Sequence, residues 1–283
     1  MASQLPHKPN WFTKFNGQAV SPAELADGVN EQGRVLGALI LHELKGRFAN
    51  RALGFLWVFI EPMLHVLVFV ALRELIGHLG PYGVPMSTFL ITGIVPFFMF
   101  RNTLQKVMTA PRSNKGLLIF PQVSIFDTML ARAVLEYLSM CVVFIGMLFG
   151  AYLLGVEVHM EDPLAVLGIF TMLWLYGFGF GLALSPLSAM FPSVAVITTM
   201  VLRLLYFASG VLFSMERIPP QYYELFAWNP VLQMLEMLRS NFFLTYNGLE
   251  IFKDYGYVSV CIILALFVGL RLMRKGTRWL LEA

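Results

Sequence analysis

Charge is scarce in this 283-residue chain: Lys, Arg, Asp and Glu make up 13% of it, against 58% hydrophobic residues. A soluble domain carries about 25% charged residues, so this sequence cannot cover a water-facing surface of its size. That excludes an ordinary soluble enzyme, and the near balance of 20 basic and 17 acidic residues leaves no nucleic-acid footprint. Cysteine is scarce too. Cys141 and Cys261 each sit inside an apolar run, which rules out a disulfide framework or a zinc site. His42-Glu43 starts like a zinc-protease motif, but Gly46 occupies the place of the second ligand. The first twenty residues have no apolar core, so no cleavable signal is read and the first hydrophobic span directs insertion. No GxxxxGK[ST] phosphate loop occurs, so the chain binds no ATP by that route.

What the chain has is apolar length. A bilayer core needs roughly 20 apolar residues per helix. Residues 53–72 are apolar apart from Glu61 and His65, and 84–100 are uncharged up to Arg101. Residues 137–156 form a third run, entered from about Thr128 behind the capping-box spacing of Ser124 and Asp127. Residues 163–202 hold forty positions without a charge, enough for two crossings, with Pro186 and Pro192 bracketing the break; Arg203 then lies inside the fifth span. Residues 255–270 make the sixth. The expected fold is an all-α integral membrane protein of six transmembrane helices: a cytoplasmic region at 1–52, a permease domain at 53–273 and a tail at 274–283.

Charge asymmetry sets the expected orientation. Six Lys/Arg precede the first span, four lie between spans two and three, and four close the chain. The opposite side carries only Arg73, Arg217, Arg239 and Lys253. The positive-inside rule then places both termini in the cytoplasm. Ser21-Pro22-Ala23-Glu24 reads as a helix start. It leads into an amphipathic helix along the inner surface, with Gly28, Gly33 and Gly37 weakening it. Residues 215–254 are too long for a plain loop. Pro219-Pro220 and Asn229-Pro230 divide them into an aromatic and an amphipathic piece, which fits short re-entrant helices between spans five and six.

Within the spans, Glu61 and His65 lie one turn apart around Pro62. Two readings stand: they satisfy one another or cap a proline-kinked backbone, or they form a proton relay or polar pore wall. Arg203 has no acid within a turn and either pairs across spans, for instance with Glu61, or lines a path for an anion. Trp11, Trp57, Trp228 and Trp279 suit an interfacial belt. Gly177 with Gly181, and Gly146 with Gly150, suit close helix contact.

The run RFANRALGFLWVFIEPMLHVLVF (47–69) resembles the first span of type 2 ABC-exporter permeases, most closely the KpsM-type capsular polysaccharide branch. FPQVSIFDTMLARAVLE (120–136) and ASGVLFSMERIPPQYYELFAWNPVLQMLEMLR (208–239) follow the same pattern in order. The resemblance implies a homodimeric channel in a bacterial inner membrane, each copy docked on a separate ABC ATPase that holds ATP and Mg; this chain would bind no cofactor and be no enzyme. The implied cargo is a lipid-linked acidic polysaccharide, with a periplasmic adaptor and an outer-membrane export pore completing the route. Trp57, Glu61, His65, Arg203 and Tyr206 would line the channel, and Arg47, Arg51 and Arg101 would meet the lipid anchor. Arg112, Lys115, Phe120, Gln122 and Asp127 would face the ATPase. Alternative cargoes are O-antigen, teichoic acid or a small lipophilic compound. A proton-coupled secondary transporter built on Glu61 and His65 is the reading of another class.

Overall fold

The computed structural model describes residues 22–49, 56–76, 81–120, 123–246 and 248–282. Among them there is no strand. The helices are α1 (Pro22–Ala49), α2 (Leu56–Ile76), α3 (Met86–Ser113), α4 (Ile125–Leu153), α5 (Pro163–Met190), α6 (Ser193–Ala208), α7 (Tyr223–Ala227), α8 (Pro230–Phe242), α9 (Tyr255–Lys275) and α10 (Thr277–Glu282), with short 3₁₀ turns between some of them. Ile125–Leu153, Pro163–Met190 and Glu250–Lys275 are long and apolar enough to cross a membrane; Trp57–Leu72 and Ser193–Ala208 are shorter apolar helices. Ser21, the expected N-cap of α1, lies outside the described residues.

Local chemistry sets the helix starts. Ser124 and Asp127 form the expected capping box: Asp127 N donates to Ser124 Oγ at 3.1 Å, and Ser124 N donates to Asp127 Oδ2 at 3.0 Å. Asp162 and Asn229 cap α5 and α8, each ahead of a proline at the first helical position. Of the two prolines bracketing the 4–5 break, only Pro192 acts. It holds Phe191 extended (φ −126°, ψ 99°), whereas Pro186 stays inside α5.

α3 is the axis of the bundle and packs on α2, α4, α5 and α8. No side chain from Thr88 to Phe100 is exposed. The helix runs on past Arg101, where the uncharged run ends, to Ser113. It can do so because its polar side chains have partners, with Lys106 paired to the fully buried Glu136 and Gln105 bonded to Thr199. α9, by contrast, buries only Val258, Ile262 and Gly269 of its length and packs against α5 as an outer helix.

Glycines make the closest crossings. A Cβ at Gly177 would lie 2.7 Å from Phe100 O, and one at Gly181 would lie 2.6 Å from Val107 Cβ, so this pair seats α5 on α3. Gly269 approaches Gly179 O on the opposite side of α5. Gly146 and Gly150 do not behave this way: Gly146 has only an ordinary contact with Phe59, and Gly150 faces open space. The amphipathic piece of 215–254 also differs from expectation. α8 is buried on all sides among α3, α5 and α9, with Gln233, Glu236 and Arg239 inside.

Candidate functional site

α2, α3 and α6 meet around one aromatic ring. Glu61 on α2 accepts a hydrogen bond from Arg101 Nη2 on α3 at 2.6 Å. The Arg101 guanidinium carbon lies 4.0 Å from the centre of the Phe98 ring, a cation–π contact. His65 meets Phe98 edge-on at 5.0 Å between centroids. Tyr206 on α6 packs against Phe97 at 5.2 Å and Phe98 at 6.2 Å, and its buried hydroxyl has no hydrogen-bond partner. Four residues picked from the sequence, Glu61, His65, Arg101 and Tyr206, therefore share one site.

Glu61 and His65 bond to different partners. The histidine Nδ1 lies 2.9 Å from the backbone carbonyl of Glu61, one turn back on the same helix. The carboxylate goes to Arg101 instead. The Glu61 and His65 side chains do not pair with each other. The same geometry corrects the suggested partner of Arg203. Arg203 stands exposed on α6 and makes no ion pair with another described residue, since Glu61 is taken. Trp57 is 60% exposed on α2, one turn before Glu61.

The side chain of Arg47, and all of Arg51 and Gln122, lie outside the described residues. Of the others placed between α3 and α4, Lys115 and Phe120 are exposed, beside an Ile119 that is 80% exposed. Arg112 and Asp127 have structural engagements. Arg112 Nη2 donates to Ser188 O at 2.7 Å and Ala189 O at 3.0 Å, closing the last turn of α5. Asp127, 2% exposed, holds the capping box and accepts from Gln32 of α1.

Sequence reasoning missed the pairs that join these elements. Glu43 of α1 accepts from Arg132 Nε at 2.6 Å and Asn114 Nδ2 at 2.8 Å, so α1 is fastened at both ends of the 114–127 segment. It also missed Arg239, fully buried, which donates to Gly210 O at 2.7 Å and Val211 O at 2.8 Å over the Phe89 ring. The i, i+3 spacing of Glu236 and Arg239 was the available signal, and it reads equally well as an exposed pair.

The profile of the ABC-2 type transporter family matches residues 34–243, about three quarters of the chain. The chain belongs to that family. It is 28% identical over 247 residues to the polysialic acid transport protein KpsM of Escherichia coli, covering 87% of this chain and 95% of that protein. It is 24% identical to the capsule polysaccharide export inner-membrane protein CtrC of Neisseria meningitidis serogroup A, over 87% of this chain and 92% of that one. The O-antigen export system permease protein RfbA of Klebsiella pneumoniae is 23% identical, over 81% of this chain and 89% of the relative. With its apolar helices, this ABC-2 permease is a multi-pass membrane protein.

Proposed function

We propose that the chain is the transmembrane subunit of an ATP-driven exporter that moves a lipid-linked acidic capsular polysaccharide across the bacterial inner membrane, through a channel shared by two copies. One observation carries this reading. α6 buries only Thr198, Leu202 and Tyr206, and leaves Arg203 exposed among Val196, Ile197, Met200, Val201, Leu204 and Phe207. An arginine facing lipid on an apolar helix costs roughly 2.5–3.5 kcal/mol or more near the bilayer centre. A face of this kind is satisfied by a second protomer and a wet path between the two. Trp57, Glu61, His65, Arg101 and Tyr206 then stand on the same side of the bundle, with Arg101 and Arg203 supplying cations for an acidic cargo.

In this reading six spans cross the membrane with both termini cytoplasmic, the region before residue 53 lies along the inner surface, and the 215–254 segment forms the outer end of the path. ATP and Mg belong to a separate ABC ATPase, which docks on the exposed Lys115–Phe120 segment. The names of two relatives, polysialic acid transport for one and capsule polysaccharide export for the other, support a capsular cargo. The test is co-purification of the tagged chain from native membranes in mild detergent. Two copies with two ATPase subunits support the exporter. A chain that purifies alone and moves substrate on a proton gradient overturns it. A strain lacking the gene that retains its capsule but loses O-antigen reassigns the cargo.

A further inference from the structure

The Gly210 end of α6 is held by side chains of a different element. Arg239 of α8 gives one guanidinium nitrogen to Gly210 O and another to Val211 O, the carbonyls that follow the helix. Asn229, the N-cap of α8, reaches Ser209 Oγ at 3.0 Å and Ala208 O at 3.4 Å. α8 is itself fixed: Gln233 bonds Ala227 O and Asp254 N, and Glu236 accepts from the Tyr246 hydroxyl and lies 3.5 Å from Arg239. Gly210 takes φ +64°, so the chain turns sharply as it leaves the helix. Gly93 of α3 leaves room for Arg239 Nη2, which a Cβ at that position would overlap.

The Pro192 end is held differently. Its start is the break at Phe191, and among the described residues its polar tie to α3 is one long bond, Gln105 Nε2 to Thr199 Oγ1 at 3.3 Å. Along the whole of α6 runs an open apolar crevice of about 500 Å³, walled by Phe100, Tyr176, Phe180, Val194 and Ile197 and reaching Asn229 at the Gly210 end. The crevice leaves that side of α6 without packed neighbours at both ends, so the polar ties of Arg239 and Asn229 are what distinguish the Gly210 end from the Pro192 end.

We infer that Arg239 and Asn229 are positioning residues that make the Gly210 end of α6 a fixed pivot, about which the Pro192 end swings to widen the transport path. Arg239 acts through α6, which carries Arg203 and Tyr206. The pivot stands on the packing alone; its coupling to ATP rests on the exporter reading above.

Spin-label distances separate the two. With Cys141 and Cys261 replaced by serine, one pair joins Val196→Cys to Leu138→Cys and a second joins Phe207→Cys to Phe149→Cys. All four positions are exposed, and α4, packed along α3, serves as the reference. In the purified full chain in nanodiscs, the 207–149 distribution is expected to be narrow and the 196–138 distribution broad. Arg239→Lys keeps the charge beside Glu236 but reaches one carbonyl only, so it broadens the 207–149 pair, and Arg239→Gln does so further. Equal widths in the unmodified background, or a 207–149 pair unmoved by both substitutions, overturn the pivot. When ATP and the co-purified ATPase are added, a shift confined to the 196–138 pair supports the swing, and a shift of the 207–149 pair as large overturns it. The width pattern without any ATP response leaves the pivot standing and counts against the exporter reading.

Discussion

Glu61 and Arg101 form a 2.6 Å ion pair between α2 and α3, at side chains one third exposed or less, with the guanidinium lying on Phe98. Each charge is the other's solvation. Leaving a partly buried charged group without its partner costs about 1–3 kcal/mol. Glu61→Ala and Arg101→Ala are each expected to lower the melting temperature of the detergent-purified protein more than the double substitution does. Surface polysaccharide reads the second role of Arg101. A double variant that is stable yet fails to export places the arginine in the transport path, and one that exports normally limits the pair to joining the two helices.

The glycine crossings predict sharply different outcomes for the same substitution. At Gly269 a methyl group would overlap Gly179 O, and at Gly93 one would sit 2.6 Å from Val211 O; neither backbone can withdraw cheaply. Alanine at either position is expected to destabilise by about 1–3 kcal/mol through overpacking. Gly150→Ala meets nothing within 4 Å and should be neutral, or gain up to about 1 kcal/mol from helix propensity. Melting temperatures of the three purified variants check the ranking.

The apolar runs and the capping signals were legible in the sequence because each depends on neighbours along the chain. Ser124 with Asp127, and Pro192 at the 4–5 break, needed no tertiary information. Gly177 and Gly181 were legible as a spacing, but the same spacing at Gly146 and Gly150 looks identical until a facing helix is known. The partner of Glu61 lies forty residues on, at a position that reads as the end of a span. Arg239 was counted as an outer-side charge because an i, i+3 acid–base pair on an amphipathic segment suits a wet surface. Only the packing of α8 between α3 and α5 puts that polar face inside.

Glu236 gives the chain a pH response with a definite sign. Burial pushes its carboxyl above the ordinary value of 4.5, against the opposing pull of Arg239, the Tyr246 hydroxyl and the more distant Lys253. The folded protein therefore holds this proton more tightly than the unfolded chain does, and stability falls as pH rises through the ordinary glutamate value towards the raised one. Below the ordinary value both states are protonated and the effect vanishes. Glu236→Gln removes the titration. The melting temperature of the original chain should fall more steeply with rising pH than that of the glutamine variant; parallel profiles would show that Glu236 keeps an ordinary affinity for its proton.

The segment between α3 and α4 separates docking from folding. Ile119 and Phe120 are 80% and 57% exposed, beside the exposed Lys115, at the far end of the bundle from α8. Exposed apolar side chains next to a cation, set between two points where α1 is fastened, suit a protein partner better than water. Arg112, a few residues earlier, is committed to the last carbonyls of α5. Ile119→Asp with Phe120→Asp should leave the melting temperature of the isolated chain within about 0.5 kcal/mol of its original stability, as surface changes do, while ATPase recovery on co-purification collapses. Arg112→Ala should do the reverse, losing about 0.5–1.5 kcal/mol as the exposed arginine's bonds to the α5 carbonyls are replaced by water, with the ATPase still bound to whatever protein remains folded. If Arg112→Ala alone abolished recovery at unchanged stability, the docking surface would centre on Arg112 instead.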